Sequence, residues 1–363
     1  MRTKTKLLLA TSIFLMAMAG CKKDQRTSGP NASANGQSTA QSLANAKSSA
    51  SYKDVDLNDD GLMVFKDGQT LLDVLKTIED RNNNNEGQGE GDFKGSTMFE
   101  ESFGFSSLRM KIDQLMTPWL ATTNVPDTLN DPSSKFVAGT ALRTVLNESS
   151  ALMIGDQILV FRLDAIVVIM KQNMKSYEAV RGGNVTGLDD VIIVTDKGQT
   201  INSKTGEIMD DNSCHTKGVW YDHTLYNFGK DLTITSLSFV NIPTVIATTP
   251  VLIVAPYCVY GTEVRHYRLG FFSWTLSNSP WLWARVYGSV LDACGKADGV
   301  GLNNGSSNSS YRGVYIYTPG PSTNPPWYPK NYKIRWYHNS EPGPYLQGNS
   351  SVNANPYMVT VTI

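Results

Sequence analysis

Asp56, Asn58 and Asp60 stand at positions 1, 3 and 5 of the stretch DLNDDGLMVFKD, with Gly61 at position 6 and Asp67 at position 12. Those are the donor positions of a calcium loop, where hard oxygens surround Ca²⁺ and the glycine permits a sharp turn. Position 12 departs from the pattern, because Asp67 reaches less far than the usual Glu. Leu62 to Phe65 also reads as a strand where a loop would be needed. The other reading of the same residues is a solvated acidic turn leading into that strand.

The densest group of reactive side chains is DDNSCHTKGVWYDH, which holds Asp210, Asp211, Cys214, His215, Asp222 and His223. A cysteine with a histidine and a carboxylate could make a nucleophile, a base and an orienter. Cys214, His215 and His223 could equally be zinc ligands. Neither spacing matches a known signature, so a structural loop or a disulfide partner is the plainer role. Beyond Cys21 the chain has Cys214, Cys258 and Cys294, an odd count that allows one disulfide and one thiol. Sequence does not choose the pairing. No P-loop, dinucleotide fingerprint, His-Glu-x-x-His or Gly-x-Ser-x-Gly motif occurs.

A third group is aromatic. Trp281, Trp283, Trp327, Tyr328 and Trp336 sit among Asn, Asp and Arg in the C-terminal half. Aromatic faces stack on sugar rings while neighbouring polar groups bond hydroxyls, so these residues are the candidate ligand-binding surface. Aromatics also fill β-sheet cores. Trp281 and Trp283 share a face if their run is a strand, and the turn-rich PPWYPKNYKIRWYHNSEPGPY would show Trp327 and Tyr328 on a loop.

The elements that must position these groups follow from composition and period. Of 363 residues, 40% are hydrophobic and 18% charged, below the roughly 25% charged of an average domain. A real core is affordable and the surface leans on Asn, Ser, Thr and Gly. Leu71, Leu72, Val74, Leu75 and Ile78 have helical spacing, and Met98 to Trp119 and Asp131 to Leu146 read as further helices. Asp131 before Pro132 fits an N-cap with proline at the first helical position. After Asn147 the texture becomes strand and turn. β-Branched and aromatic residues dominate to the final alternating YMVTVTI. The expected fold is α+β: a small helical region, 53–147, then a mainly antiparallel, sandwich-like β domain, 148–363.

The first residues have their own logic. Arg2, Lys4 and Lys6 precede the apolar run Leu7 to Met18 and the small pair Ala19-Gly20, the three parts of a secretory signal over 1–20. The run is short of the roughly 20 residues that span a bilayer. Met18-Ala19-Gly20-Cys21 resembles a bacterial lipobox, with Met18 where Leu, Val or Ile is commoner. That resemblance implies a diacylglycerol thioether on Cys21, cleavage before it, and acylation of the new amine. Residues 21–52, Ser, Ala, Asn and Gln with little to bury, read as a disordered tether. Lys22-Lys23-Asp24 places no Asp directly after the cysteine, so delivery to the outer membrane or cell surface is allowed. Without Arg2, Lys4 and Lys6, 29 basic residues face 33 acidic ones, a charge of −4. Nucleic acid is not an expected partner.

Two stretches, DGLMVFKDGQTLLDVLKTIE and LRTVLNESSALMIGDQILVFRLD, resemble predicted surface lipoproteins of Bacteroidetes whose function is unassigned. The resemblance implies a compartment and a lineage in which glycans or peptides are often handled. Asp127-Thr128-Leu129 is similar to the O-glycosylation acceptor of those bacteria. The expectation is thus a membrane-anchored envelope protein with a binding or structural role, glycan among its ligands. The alternative is a hydrolase of glycan or peptide. The anchor is tested by Cys21→Ser, which should abolish labelling by a fatty-acid analogue and release the protein from membranes. Continued labelling would remove the lipoprotein reading.

Overall fold

A computed structural model describes residues 52–84, 93–124, 126, 130–196, 199–210, 219–228, 230–248, 251–278, 282–291, 297–306, 309–319, 333–338 and 357–362. The chain opens with a hairpin, β1 (Val55–Leu57) and β2 (Met63–Phe65). Helices follow: α1 (Gly68–Asn83), α2 (Lys94–Phe103), α3 (Leu108–Leu120) and α4 (Thr140–Val145). Next come β3 (Ala151–Ile154), β4 (Gln157–Phe161), β5 (Ala165–Ile169), α5 (Met174–Arg181), β6 (Val191–Thr195), β7 (Thr200–Asn202) and β8 (Ile208–Asp210). The rest is strand: β9 (Val219–Phe228), β10 (Asp231–Thr248), β11 (Val251–Leu269), β12 (Trp274–Leu276), β13 (Leu282–Leu291), β14 (Ala297–Ser306), β15 (Tyr311–Pro319), β16 (Lys333–His338) and β17 (Tyr357–Thr362).

The class is α+β, with helices early, strands late and open sheets. One sheet runs β1 to β8 in sequence order. Only its β2–β3 pair is parallel among the described ladders. The second sheet runs β12-β11-β10-β9, with β15 also paired to β11. Two hairpins, β13–β14 and β16–β17, complete the described strands.

Local chemistry explains the helix ends. Asp67 caps α1, its Oδ1 accepting from Thr70 N and Thr70 Oγ1, each at 2.8 Å. Leu71, Leu72, Leu75 and Ile78 then bury one stripe of that helix. The long helix expected over 98–119 is two helices. Gly104 adopts φ 61 at the end of α2, and Ser107 caps α3 through Met110 N. Likewise Asp131 caps only a 3₁₀ turn, Pro132–Lys135, before Gly139 at φ 99 restarts the chain as α4. Glycines that need positive φ are the breaks the apolar period could not show.

The change of texture at Asn147 is not a break in packing. β1 and β2 come from before it yet belong to the first sheet, and α5 lies after it. Val74, Leu142, Leu159, Ile234 and Val259 belong to one buried cluster joining α1, α4 and both large sheets. A smaller cluster on the other side of the first sheet packs Tyr177 and Val180 of α5 against Met153, Ile158 and Val167. With both faces covered, ALMI and AIVVI are continuous apolar runs without alternation.

Contact between α1 and the second sheet is set by Gly313 on β15. A Cβ there would run into Glu79 Oε1 and the Tyr311 hydroxyl. Asn83 then clasps the glycine backbone, Nδ2 donating to Gly313 O at 2.8 Å and Oδ1 accepting from Gly313 N at 3.0 Å. Gly313→Ala should therefore destabilise the fold by about 1–3 kcal/mol, the usual cost of overpacking. Urea unfolding measures it, and an unchanged midpoint would show that the helix can back away.

Candidate functional site

Beneath the helices, β11 offers Glu263 and Arg265 to the same side, two residues apart. Both are buried, and Arg265 Nη2 lies 3.5 Å from Glu263 Oε1. Glu263 Oε2 accepts from Thr140 N (2.8 Å), Thr140 Oγ1 (2.6 Å) and the Tyr315 hydroxyl (3.2 Å). Burial works to raise this carboxyl, but the charges of Arg265 and Arg143 and the Thr140 hydrogen bonds outweigh it and hold Glu263 below its usual range. Glu79 of α1 has the opposite fate. Burial, with the Glu263 charge added, pushes its carboxyl up to about 8. The Tyr311 hydroxyl lies 3.0 and 3.1 Å from the Glu79 oxygens and 3.4 Å from Glu263 Oε2, bridging a neutral acid and a carboxylate.

Two carboxyls with separated pKa values are a pattern of acid–base sites. Here both side chains are sealed from solvent, so the pair works as a clasp between helices and sheet.

The cluster reaches the surface through Arg265. A groove of about 460 Å³ opens between α3 and the β11–β12 hairpin. Helix α3 presents Arg109, Asp113, Met116, Thr117 and Leu120 to it, the spacing of one helical face. Arg265 and Tyr267 of β11 and Leu276 of β12 form the far wall, and Phe93 part of the floor. Asp113 is 38% exposed, with Oδ2 2.7 Å from Arg109 Nη1 and Oδ1 4.0 Å from Arg265 Nη1. Each guanidinium has a buried glutamate as well: Arg109 pairs with Glu100, Arg265 with Glu263. Phe93 takes both cations near its ring, Arg109 at 5.7 Å and Arg265 at 4.9 Å. Asp113 is the acidic side chain of this wall left open to a ligand.

A second groove, about 280 Å³, holds His223 with Ser133, Ser134, Phe136 and Arg143. His223 Nε2 bonds Asp131 Oδ2 and lies 3.3 Å from Ser133 Oγ; Nδ1 lies 3.0 Å from Ser236 Oγ. Burial would raise Asp131, but His223 and the Ser133 hydrogen bonds hold it below the usual range. In the tautomer that donates Nε2–H to Asp131, Nδ1 accepts from Ser236, the order of carboxylate, imidazole and hydroxyl used to activate serine. Ser236 is buried inside β10 and does not line the groove. Ser133 does line it, yet shares its ring nitrogen with Asp131. Of the two described serines at this histidine, neither is both activated and reachable.

The structure treats the sequence candidates unequally. Asn58 Oδ1 accepts from Leu62 N (2.8 Å) and Asp60 N (3.1 Å), tightening the β1–β2 turn. Asp56 Oδ1 accepts from Leu57 N at 2.8 Å, and Asp67 caps α1. The acidic stretch is thus a hairpin turn followed by a helix cap. Among the described residues no cluster of three or more His, Cys, Asp or Glu is placed to hold a metal. Trp283 lies on β13 opposite Gly305, and Trp336 on β16 opposite Val359. Cys21, Thr128, Cys214, His215, Trp281, Cys294, Trp327 and Tyr328 lie outside the described residues. Of the reactive group only His223 is seen in a polar cluster among the described residues; Asp131 comes from 92 positions away, and Ser236 stands opposite His223 on the neighbouring strand. Arg109, Asp113 and Arg265 escaped sequence reading. The signal that could have found Arg265 is Glu263-x-Arg265-x-Tyr267, charges on one face of a strand; nothing comparable marks Arg109 and Asp113.

No family model matches the sequence, and no curated protein matches it. Among solved structures the chain is similar to a DUF4848 family protein from Bacteroides thetaiotaomicron, at 10% identity over 80% of this chain and 96% of that one. The TM-score is 0.22, too low for any conclusion about fold or function to follow.

The buried acid makes stability depend on pH. A carboxyl raised to about 8 in the folded state from an ordinary 4.5 contributes fully below 4.5. Its contribution is lost as pH rises through about 8, with a slope of at most about 1.4 kcal/mol per pH unit. Glu79→Gln should keep the hydrogen-bonding shape without the proton and flatten that decline. Thermal midpoints measured across this range check it: the variant gains on the natural protein as pH rises. Parallel curves would mean that Glu79 is ionised in the fold.

Proposed function

We propose that the protein is a lipid-anchored envelope protein whose folded part binds saccharide in the groove between α3 and the β11–β12 hairpin. The observation that carries this reading is Asp113, exposed at 38% and braced by Arg109 and Arg265 above an aromatic floor. The groove's size suits a ligand of one or a few rings, since such sites run about 300–1,000 Å³. Met116, Leu120 and Leu276 offer an apolar strip for the carbon face of a sugar, and Asp113 accepts from its hydroxyls. Because both guanidinium groups already hold glutamates, neutral hydroxyl donors suit the wall better than a second anion.

Binding is favoured over hydrolysis by a count of open acids. Glycosidases of the usual kind need two carboxyl groups flanking the bond to be cut. Among the described residues lining this groove, Asp113 is the one carboxylate. Glu100 nearby is buried against Arg109 and Ser107. Of the described serines at His223, neither is both activated and reachable, which also weighs against the hydrolase alternative.

A glycan array probed with the purified protein tests the proposal, together with Asp113→Asn and Trp327→Ala. The natural protein should retain at least one neutral glycan. Asp113→Asn should weaken that binding about tenfold or more, near 1.4 kcal/mol, at an unchanged thermal midpoint. Loss on Trp327→Ala alone would move the site to the C-terminal aromatics. An array with no binding would end the saccharide reading.

A further inference from the structure

The β11–β12 hairpin ends in two side chains open to solvent. Phe271 is 93% and Phe272 84% exposed, while the other exposed large apolar residues described lie between 40% and 47%. The rings sit side by side, centroids 6.4 Å apart. Their support is rigid. Gly270 N donates to Ser273 O at 2.9 Å across the turn, and Leu269 N to Lys230 O at 2.8 Å. Directly after the turn Trp274 is buried, its indole N–H bonded to Asn124 O at 2.9 Å. Isolated half-exposed apolar residues are ordinary on protein surfaces. A pair of nearly bare phenylalanines on a braced turn is not.

We propose that this tip is a membrane contact, with Phe271 and Phe272 entering the headgroup–acyl boundary of the bilayer. A convex tip of two rings has no cavity to receive a partner, and a fluid bilayer requires no matching shape. Arg268 and Lys230 are exposed at the root of the tip, where cations meet lipid phosphates while apolar groups go deeper. Proximity comes from the lipid-anchor reading, on which the biological use of the tip rests. On that reading, the tether expected over 21–52 keeps the folded part close to the membrane that bears Cys21. A single weak membrane contact is reversible by itself, and two together anchor and orient. No described helix is long and apolar enough to cross a membrane.

The test uses the mature chain from residue 21 with Cys21→Ala, which removes the lipid and leaves the tip as the reporter. Co-flotation with vesicles of phosphatidylethanolamine and phosphatidylglycerol is compared for this protein and for the same chain carrying Phe271→Ser and Phe272→Ser. The double change should lower the bound fraction at least fivefold, and Phe271→Leu with Phe272→Leu should keep most of it. The serine changes are on the surface, and an unchanged thermal midpoint verifies that the fold survives. Equal flotation of both proteins, or no binding by either, would overturn the proposal. Sedimentation velocity adds a third outcome: a dimer that the serine changes dissolve would make the occupant a second copy, and also overturn it. Because no lipid is attached, the result is independent of the Cys21 labelling experiment, and either reading can fail alone.

Discussion

The ion pair of Glu263 and Arg265 is the constraint around which the helices and the second sheet are arranged. Charges taken out of water are tolerated only when paired and hydrogen-bonded. β11 supplies both charges two residues apart, and everything near them is placed to complete the set. Thr140 opens α4 with its backbone and hydroxyl on Glu263. Tyr311 and Tyr315 add hydroxyls from β15, and Glu79 arrives from α1 as a neutral acid. The surrounding apolar cluster supplies most of the free energy, and this polar centre decides which helix faces which strand.

The same pair makes the groove what it is. Arg265 faces Glu263 inward and Asp113 outward, so the position of the exposed carboxylate is inherited from the buried one. Arg109 repeats the arrangement with Glu100 behind it. A ligand meeting Asp113 would find it already oriented, which lowers the ordering cost of binding. Sealed acids inside and one braced acid outside suit recognition better than proton transfer.

Much of the element pattern was legible. The apolar period of Leu71 to Ile78 and the strand pairs around Leu163-Asp164 could be read because local burial dictates them, and the alternation of YMVTVT marked the strand Tyr357–Thr362. Helix breaks at Gly104 and Gly139 were not, since only the backbone shows which glycines take positive φ. The site was hidden for another reason. Asp113 and Glu79 reach the β11 charges by the packing of α3 and α1 on the sheet, and spacing along the chain does not say which helix meets which strand. His223 was visible as a reactive residue, whereas Asp131, its partner, read as a plain helix cap. In the acidic stretch from Asp56 to Asp67, turn and cap chemistry use the same kind of oxygens as a cation site, so sequence alone left both readings open.

The clasp between Asn83 and Gly313 joins residues 230 positions apart. Until β15 has been delivered, Glu79 has no tyrosine to bond and α1 lacks its partner strand. The early helices therefore cannot settle while the last third of the chain is still arriving, and folding is dominated by distant contacts, which are slow to form. The native state becomes available only after nearly all of the chain has been made, so the topology itself acts as a timer on maturation.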